Sequence, residues 1–271
     1  PTDGRTGFAI SAAFTASYQA INSGSKIEGE SYNALSALIW RFDNQFGVTR
    51  LGVFVEGGWG DYDTKNGFAS RSVKGGSDIS YAGGGLFARH EYTCGIYVEG
   101  TFRIDNVRGD FSSSDMGSGA TYDSKSNYWG GHLGLGYIHM FSEFDSLDMY
   151  AKLFWTRQDS DSVDTDAGER LRLDSADSIA SHVGAKYTHE FSNGMGFHFG
   201  LAWEHEYDGK QKGYLDRRGI NSPDMEGDSG LAEIGLRWQP ENTGWSFDLT
   251  AHGSLGLRDS IGGTLNIAYE F

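Results

Sequence analysis

The residues of this chain whose chemistry is easiest to recognise are three histidine-glutamate pairs, each followed by an aromatic residue. "HEY" occurs at 90, "HEF" at 189 and "HEY" at 205. Histidine and glutamate together can move protons or hold a metal ion. However, the chain has no His-Glu-x-x-His run and no cysteine and histidine spacing typical of a metal site. The sequence therefore predicts neither a metal site nor a bound cofactor.

Two further features could do chemistry, and neither indicates catalysis. The glycines at 83 to 85 do not stand in the context of a phosphate-binding loop, so we expect them to ease curvature or a close approach of two strands. The single cysteine, Cys94, cannot form an intramolecular disulfide and is predicted to be a small turn residue rather than a reactive thiol. We expect no enzymatic activity.

Composition narrows the classes of protein to which the chain could belong. It has 271 residues with 40 Gly, only 3 Pro and a net charge of −15. This acidic balance argues against a nucleic-acid partner, because neutralising phosphates requires a surplus of Lys and Arg. No apolar run approaches the roughly 20 residues of a membrane helix, no secretory signal is visible, and no Pro-rich linker marks a boundary. We expect one domain over residues 1–271.

Alternation of apolar and polar residues is the main structural signal. It is clear in segments that begin at residues 7, 50, 95, 146, 196, 230, 245 and 264, and weaker candidates lie at 30–42, 78–90, 125–139 and 176–191. Such a period of two is typical of half-buried β-strands. The chain is therefore predicted to form about twelve strands, each with its connection taking roughly 22 residues, which suits membrane strands of about 9 to 11 residues.

The connections and the aromatic residues distinguish a membrane barrel from a soluble sandwich or barrel. Short connections ("DNQFG", "EYTCG", "FSEFDS", "FSNGM", "PENTG") alternate with long polar ones (63–78, 110–126, 159–176, 209–228), and only the first and last hairpins, "INSGSK" and "RDSIGG", break the long set. Outer-membrane barrels have short periplasmic turns and long outer loops. Aromatic residues near the short turns suit an interfacial girdle: they are Trp40, Phe42, Tyr92, Tyr137, Phe141, Tyr187, Phe191, Trp238 and Phe271.

The polar faces of the strands carry charges of both signs at mid-strand. A packed soluble core would not tolerate them, whereas a hydrated barrel interior would. These predicted lumen residues, which could also contact a linker, are Glu56, Glu99, Arg103, Asp105, Lys152, Glu204, Glu233, Arg237 and Asp248. They could equally pair with one another across the lumen.

The sequence thus predicts an all-β fold, a transmembrane antiparallel up-and-down β-barrel of outer-membrane type with about twelve strands. An even number of strands places both termini on one side, and the short turns make that side periplasmic, with the long loops extracellular. The histidine pairs at 90 and 189 then fall at the periplasmic end and the pair at 205 at the outer end. They cannot converge, and we expect them to be girdle residues with polar tips.

Several stretches of the chain resemble the C-terminal translocator barrel of autotransporters, the type V secretion proteins. They include "SLDMYAKLFWTRQDSDSV", "GSLGLRDSIGG", "LNIAYEF", "YAGGGLFARHEYTCGIYVEGTFR" and "YWGGHLGLGYIHMFSEFDSLDMYAK", and their order spans essentially the whole chain. The resemblance implies a twelve-stranded barrel whose lumen holds a linker helix leading to an N-terminal passenger. The chain enters its first predicted strand directly after "PTDGRTGF", so no linker helix or passenger is expected within it.

The resemblance also implies a function and a set of partners. The barrel would insert in the bacterial outer membrane and support export of its passenger to the cell surface. Implied partners are outer-membrane lipid and lipopolysaccharide, the barrel assembly machinery, and the chain's own passenger or linker if encoded upstream; a monomer is expected. Some members of the family cut their own linker with lumenal acids, but the scissile linker is not in this sequence, so self-cleavage is not the expectation.

The last predicted strand, "TLNIAYEF", has one apolar face and ends on an aromatic residue. In the family, such a strand is what the assembly machinery recognises, and strand pairing with an exposed edge would provide this recognition. The residues expected to carry this assembly signal are Leu265, Ile267, Tyr269 and Phe271. Alternatively, Phe271 only completes the aromatic girdle.

Two other functions remain open from the sequence. One is a narrow porin for small solutes, although Arg103, Lys152, Lys186, Arg237 and Arg258 are offset by more numerous acids, which disfavours anion selectivity. The other is a surface-exposed, adhesin-like barrel that acts through its long acidic loops.

Overall fold

The residues that the structure describes form sixteen β-strands. The structure, a computed structural model, describes residues 6–22, 25–68, 71–113, 120–164, 168, 170–209, 212–215, 218–220 and 225–271. The strands are β1 (Thr6–Asn22), β2 (Ser25–Asn44), β3 (Gly47–Phe68), β4 (Arg71–Tyr92), β5 (Ile96–Ser113), β6 (Ala120–Met140), β7 (Asp145–Gln158), β8 (Asp161–Asp164), β9 (Arg170–Leu173), β10 (Ala176–Glu190), β11 (Met195–Asp208), β12 (Gly213–Leu215), β13 (Arg218–Ile220), β14 (Gly227–Trp238), β15 (Trp245–Gly256) and β16 (Arg258–Glu270).

Twelve of these strands close into one antiparallel barrel. Its order is β1-β16-β15-β14-β11-β10-β7-β6-β5-β4-β3-β2, so each strand pairs with the barrel strands before and after it in the chain. Closure is made by β1 and β16, which pair from Ala9 opposite Glu270 to Ile21 opposite Arg258. The predicted up-and-down barrel of about twelve strands is confirmed. No helix among the described residues is both long and apolar enough to cross a membrane.

The two faces of the barrel wall are chemically opposite. Large apolar side chains are exposed on the outside, with Val55 at 66% and Leu133 at 72%, while Asp105 and Glu204 are only 2% and 7% exposed on the inside. A soluble β-barrel would bury the first kind of residue and expose the second. The wall therefore has an apolar exterior that suits lipid and a polar interior.

Aromatic side chains form a girdle at the short-turn end, as predicted. Phe8 contacts the rings of Trp40 and Phe271, with centroids 5.8 and 5.5 Å away, and Tyr269 joins Phe271 to Trp245.

A second girdle lies at the opposite end, where only the histidine pair at 205 was expected. Tyr32 stacks on Trp59 at 5.9 Å, and Phe102 contacts Trp129 at 6.3 Å. Tyr32 lies eight residues along β2 from Trp40, which corresponds to roughly 20 Å along the barrel axis for a strand tilted by about 40°. This separation is close to the height of an outer-membrane apolar band.

Much of what the sequence indicated as long loops is strand. β3 and β4 have 22 residues each, whereas β14 and β15 have 12. A membrane strand needs only about 9 to 11 residues, so β2 to β6 continue past the second girdle. The polar connections 63–78 and 110–126 are mainly these strand extensions. These extensions are polar because both faces of the strands meet water there. Without an apolar face, their sequence does not differ from that of a polar loop.

Two other predicted loops combine into a second sheet. β8 and β9 come from the connection 159–176, β12 and β13 come from 209–228, and their order is β13-β12-β9-β8. The middle pair joins the two connections, with Tyr214 opposite Arg172. These strands have only three or four residues each, too few for alternation to identify them, so their pairing could not be anticipated.

The prediction of the last hairpin at "RDSIGG" is wrong. The chain turns at Gly256, whose φ is +138°, and Leu257 donates its backbone N–H to Asp228 O over 2.8 Å. Arg258 to Gly263 already belong to β16. A Cβ on Gly262 would lie 2.6 Å from His252 Cε1 and 2.8 Å from Ala16 O, so this glycine is needed for close strand approach rather than for a turn.

Candidate functional site: the barrel lumen

The nine charged residues predicted for the lumen lie on the inner face of the wall. Several inner side chains reach over one or two intervening strands, which is feasible on the concave side of a closed sheet, where side chains converge. Tyr97 on β5 donates its hydroxyl to Asp148 Oδ1 on β7 over 2.9 Å. Arg258 on β16 donates to Glu204 Oε1 on β11 over 3.2 Å. The structure does not gather the nine residues into one site but distributes them over separate groups around the wall.

The first group surrounds Glu99 on β5. Its carboxylate lies 2.6 Å from Lys152 Nζ, 3.1 Å from Arg89 Nη1 and 3.4 Å from His132 Nε2. Arg89 also stacks over the Tyr97 ring at 3.7 Å. Glu99 therefore links β4, β5, β6 and β7 along the inner wall.

The second group has one cation for two acids. Arg103 lies 3.2 Å from Glu56 Oε2 and 3.0 Å from Asp105 Oδ2. Asp105 is almost fully buried, and Tyr81 in the same region donates to Asn33 over 2.8 Å. This group joins β3 and β5 across β4.

The remaining four predicted residues lie on β11, β14 and β15, each with one or two partners of its own. Glu204 contacts His182 as well as Arg258. Glu233 lies 3.6 Å from Lys186, Arg237 lies 3.5 Å from Glu190, and Asp248 lies 3.6 Å from His198. Their charges are thus met by side chains of the wall itself.

Glycine lies directly opposite most of the inward charges. A glycine partner leaves room for a long polar side chain to lie along the wall, which accounts for part of the high glycine content. The opposed pairs include Glu56 and Asp105 with Gly83, Arg103 with Gly85 and Gly130, Glu99 and Lys152 with Gly134, and Glu233 with Gly200.

One row of cations on the inner face of the barrel was not predicted. Arg41, Arg50 and Arg89 lie directly opposite one another on β2, β3 and β4, near the short-turn end. Asp43 binds Arg41 at 2.8 Å, and Glu91 approaches Arg50 and Arg89 at 3.7 and 3.5 Å. The alternation of side chains along these strands places all three arginines on the inner face. The glycines of the β4 segment made the inner and outer faces of that strand difficult to distinguish from sequence.

A cavity of about 540 Å³ opens along the inner wall of β10 to β16. Polar side chains dominate its lining, including His198, Glu233, Arg237, Asp248, Thr250 and His252. No group of three or more His, Cys, Asp or Glu suited to a metal occurs in the part of the chain that the structure describes. The lining suits water and a polar chain rather than a small apolar ligand.

The histidine pairs of the sequence do not converge, as predicted. His90, His189 and His205 lie on the outer face, with their rings 4.3, 4.7 and 4.5 Å from Tyr92, Phe191 and Tyr207. They therefore belong to the two aromatic girdles.

One of these histidines helps to fasten a short turn. Asp145, at the β6–β7 turn outside the membrane-spanning segments, accepts a 2.7 Å hydrogen bond from Ser142, with Tyr187 and His189 Nδ1 also bonded to it. These bonds hold the pKa of the Asp145 carboxyl well below its usual range. A depressed pKa stabilises the turn above the pH at which free aspartate protonates and loses this effect only at more acidic pH.

Replacing Glu99 with glutamine is expected to lower the free energy of unfolding by about 1–3 kcal/mol, because Lys152 and Arg89 lose their shared countercharge in a partly desolvated wall. The measurement is the urea midpoint of the barrel in lipid vesicles. Glu30→Gln, an exposed carboxylate on the outer face, is the control and should shift the midpoint little. Equal shifts for both variants would show that the Glu99 group does not stabilise the barrel.

Comparison with known proteins agrees with this geometry. A family model described as the autotransporter beta-domain matches residues 10–252. None of the curated proteins compared with the chain matches it.

Three solved structures share the fold at low sequence identity. The β domain of the Bordetella autotransporter BrkA has a TM-score of 0.78 at 12% identity, covering 97% of this chain and 98% of that one. The transport unit of AIDA-I from Escherichia coli has a TM-score of 0.74 at 13% identity, covering 100% and 92%. The translocator domain of NalP from Neisseria meningitidis has a TM-score of 0.74 at 12% identity, covering 100% and 90%.

The family match covers far more than half of the chain, and it coincides with a closed barrel that is apolar outside and polar inside. The predicted resemblance and the predicted fold class are confirmed. The chain belongs to the autotransporter beta-domain family of outer-membrane barrels.

Proposed function

We propose that this barrel is an outer-membrane translocator that supports export of an N-terminal passenger to the cell surface by type V secretion. The observation that carries the proposal is a polar lumen within a closed barrel of the autotransporter family. A twelve-stranded barrel encloses more space than eight strands, which side chains fill, and less than a 16-stranded porin. Its lumen suits a helix or an extended hairpin rather than a folded domain.

The proposed orientation has the short turns and both termini in the periplasm and the long connections outside the cell. The strand extensions of β3 to β6 and the sheet of β8, β9, β12 and β13 arise from the long connections, and the extension of β2 lies at the same end, paired with β3. Outer-membrane barrels have this asymmetry, with their larger parts outside. A linker encoded upstream of the chain would then enter the lumen from the periplasmic end.

The paired charges of the lumen suit passage of a polypeptide. Glu99, Arg103, Lys152 and Glu204 already have wall partners, so a passing chain need not replace them to move on. Their remaining hydrogen-bonding capacity could still hold a linker at rest. We therefore propose that the predicted lumen residues, apart from the buried Asp105, contact the linker by exchangeable hydrogen bonds.

We infer that the barrel does not cut its own linker. The best lumen candidates for acid chemistry are Glu56 and Asp105, and both are engaged by Arg103. Asp105 is only 2% exposed, so a linker in the lumen would have little access to its carboxylate. We also propose that the barrel assembly machinery recognises the last strand. The barrel is further proposed to contact lipopolysaccharide and to be a monomer.

Single-channel conductance in planar bilayers tests the proposal. Residues 1–271 alone should give a conductance that falls markedly when the segment encoded immediately upstream of Pro1 is restored, because the linker then occupies the lumen. Proteolytic removal of that segment from the same protein serves as the matched control and should restore the conductance. A steady, ion-selective conductance that the upstream segment leaves unchanged would favour a porin instead.

A further inference from the structure

The outer face of β5 and β6 carries matched layers of side chains beyond the membrane. Ile104 lies opposite Trp129 in the second girdle, and the layers that follow along the two strands are each made of one kind of residue. In order they are the amides Asn106 and Asn127, the cations Arg108 and Lys125, the carboxylates Asp110 and Asp123, and the hydroxyls Ser112 and Thr121.

Arg108 and Lys125, which we call the outer cation pair, point away from the lumen. Both residues are exposed, and both lie an even number of residues from their girdle neighbours Ile104 and Trp129, so they share the outer face. Four residues of tilted strand place them roughly 10 Å beyond the girdle. They are therefore at the level of the headgroups of the adjoining lipid leaflet.

In the absence of a bound anion, the two cations of this pair destabilise the sheet. Like charges directly opposite each other on neighbouring strands repel, and these two cations are direct partners. Neither side-chain cation has a carboxylate within ion-pair distance among the residues that the structure describes, and the Asp161 carboxylate at this site accepts the backbone N–H of Lys125 over 2.8 Å. The wall itself thus leaves two adjacent positive charges available to an anion.

A row of carboxylates bounds the pair on the side of the loops. Glu30, Asp61, Asp78, Asp110 and Asp123 lie directly opposite one another across β2 to β6, all on the outer face. These carboxylates repel an anion bound to the cation pair and so prevent it from moving further outward. The anion is therefore held between the carboxylate row and the apolar belt. The position is thus confined to a narrow layer.

We propose that the outer cation pair docks a phosphate group of outer-leaflet lipopolysaccharide. The proposal rests on the orientation given above, which places the long connections outside the cell. Two cations on directly paired residues have Cβ atoms about 5 Å apart, close enough for both to bind one phosphate by charge-assisted hydrogen bonds. One layer nearer the membrane, Asn106 donates to Asn127 over 3.4 Å and Asn127 donates to Asp159 over 3.3 Å, which leaves one N–H of each amide for the adjoining sugar hydroxyls. The surface is continuous with the lipid-facing belt, which favours a lipid over a soluble ligand.

Native mass spectrometry of the detergent-solubilised barrel with lipid A carrying both phosphates tests the proposal, with EDTA present to remove bridging cations. The R108Q/K125Q double variant is expected to retain about tenfold less lipid A than the wild type. Dephosphorylated lipid A should bind both proteins equally weakly. The matched control is Arg157→Gln, since Arg157 is also outward but is neutralised by Asp177 at 3.4 Å, and it should bind like the wild type.

Other outcomes overturn the proposal. Equal retention of lipid A by the wild type and the double variant would show that the cation pair does not hold the phosphate. Equal competition by phosphatidylglycerol would show a general affinity for anionic lipid. Surface display of a passenger should remain at the wild-type level in the double variant, so loss of lipid A binding is separable from failure of translocation. A heat-resistant folded band on a denaturing gel confirms that each variant is folded.

Discussion

Replacing Phe271 with serine is expected to reduce the folded barrel in the outer membrane about tenfold while leaving refolding in detergent nearly unchanged. Phe271 is 71% exposed, and its backbone N–H bond to Phe8 O survives the change. Its loss therefore removes little from the folded state beyond ring contacts to Phe8 and Tyr269. If the last strand is recognised during assembly, losing one anchor side chain costs more than about 1.4 kcal/mol of recognition, which is a factor of ten.

The matched control is Phe141→Ser. Phe141 is 61% exposed, lies in the same girdle at the β6–β7 turn, and contacts the His139 ring at 4.7 Å. It should assemble at the wild-type level in cells, as measured in the outer-membrane fraction. If both variants lose the same amount in cells, then Phe271 only completes the girdle and the assembly signal lies elsewhere.

Replacing Gly83 with valine is expected to prevent the barrel from folding. Gly83 lies opposite both Glu56 and Asp105, and an added Cβ would be 2.1 Å from Asp105 Oδ1 and 2.2 Å from Ile104 O. The first contact could relax, but the second is with the backbone of the neighbouring strand and cannot relax without breaking the wall. We expect a loss of more than about 3 kcal/mol, a large part of the stability of a typical domain.

Gly230→Val is the control for β-propensity and side-chain size. A Cβ at Gly230 would meet nothing nearer than Leu255 O at 3.9 Å. This variant should refold in detergent and keep a heat-resistant band, whereas the Gly83 variant should run unfolded at all temperatures. Normal refolding of both would mean that the wall around Asp105 can shift apart.

The predictions that succeeded rest on strand parity. In β5, Ile96, Val98, Phe102 and Ile104 are exposed to the lipid side, and Glu99, Arg103 and Asp105 point inward. Once one residue of a strand is assigned to a face, every second residue follows, because side chains alternate across a β-strand. Mid-strand charges could therefore be assigned to the lumen without knowledge of the fold.

The predictions that failed concern where strands end. Residues 63–78 and 258–263 contain the polar residues and glycines typical of turns, yet most of them are paired in strands. Whether a glycine makes a turn or admits a neighbouring side chain depends on what lies opposite, as His252 does at Gly262. Pairing register is a property of two distant segments, so one segment alone cannot reveal it.

The amino-acid sequence by itself determined the barrel class, the approximate strand number, the chemistry of the two wall faces and the family. The first three follow from local alternation, composition and connection length, which need no knowledge of neighbours, and the family follows from the resemblance of several stretches of the chain to it. The tertiary structure alone decided the partners: the Glu99 and Arg103 groups, the arginine row, the second sheet and the outer cation pair. Each of these joins residues from different strands, and only closure of the barrel fixes the register that brings them together.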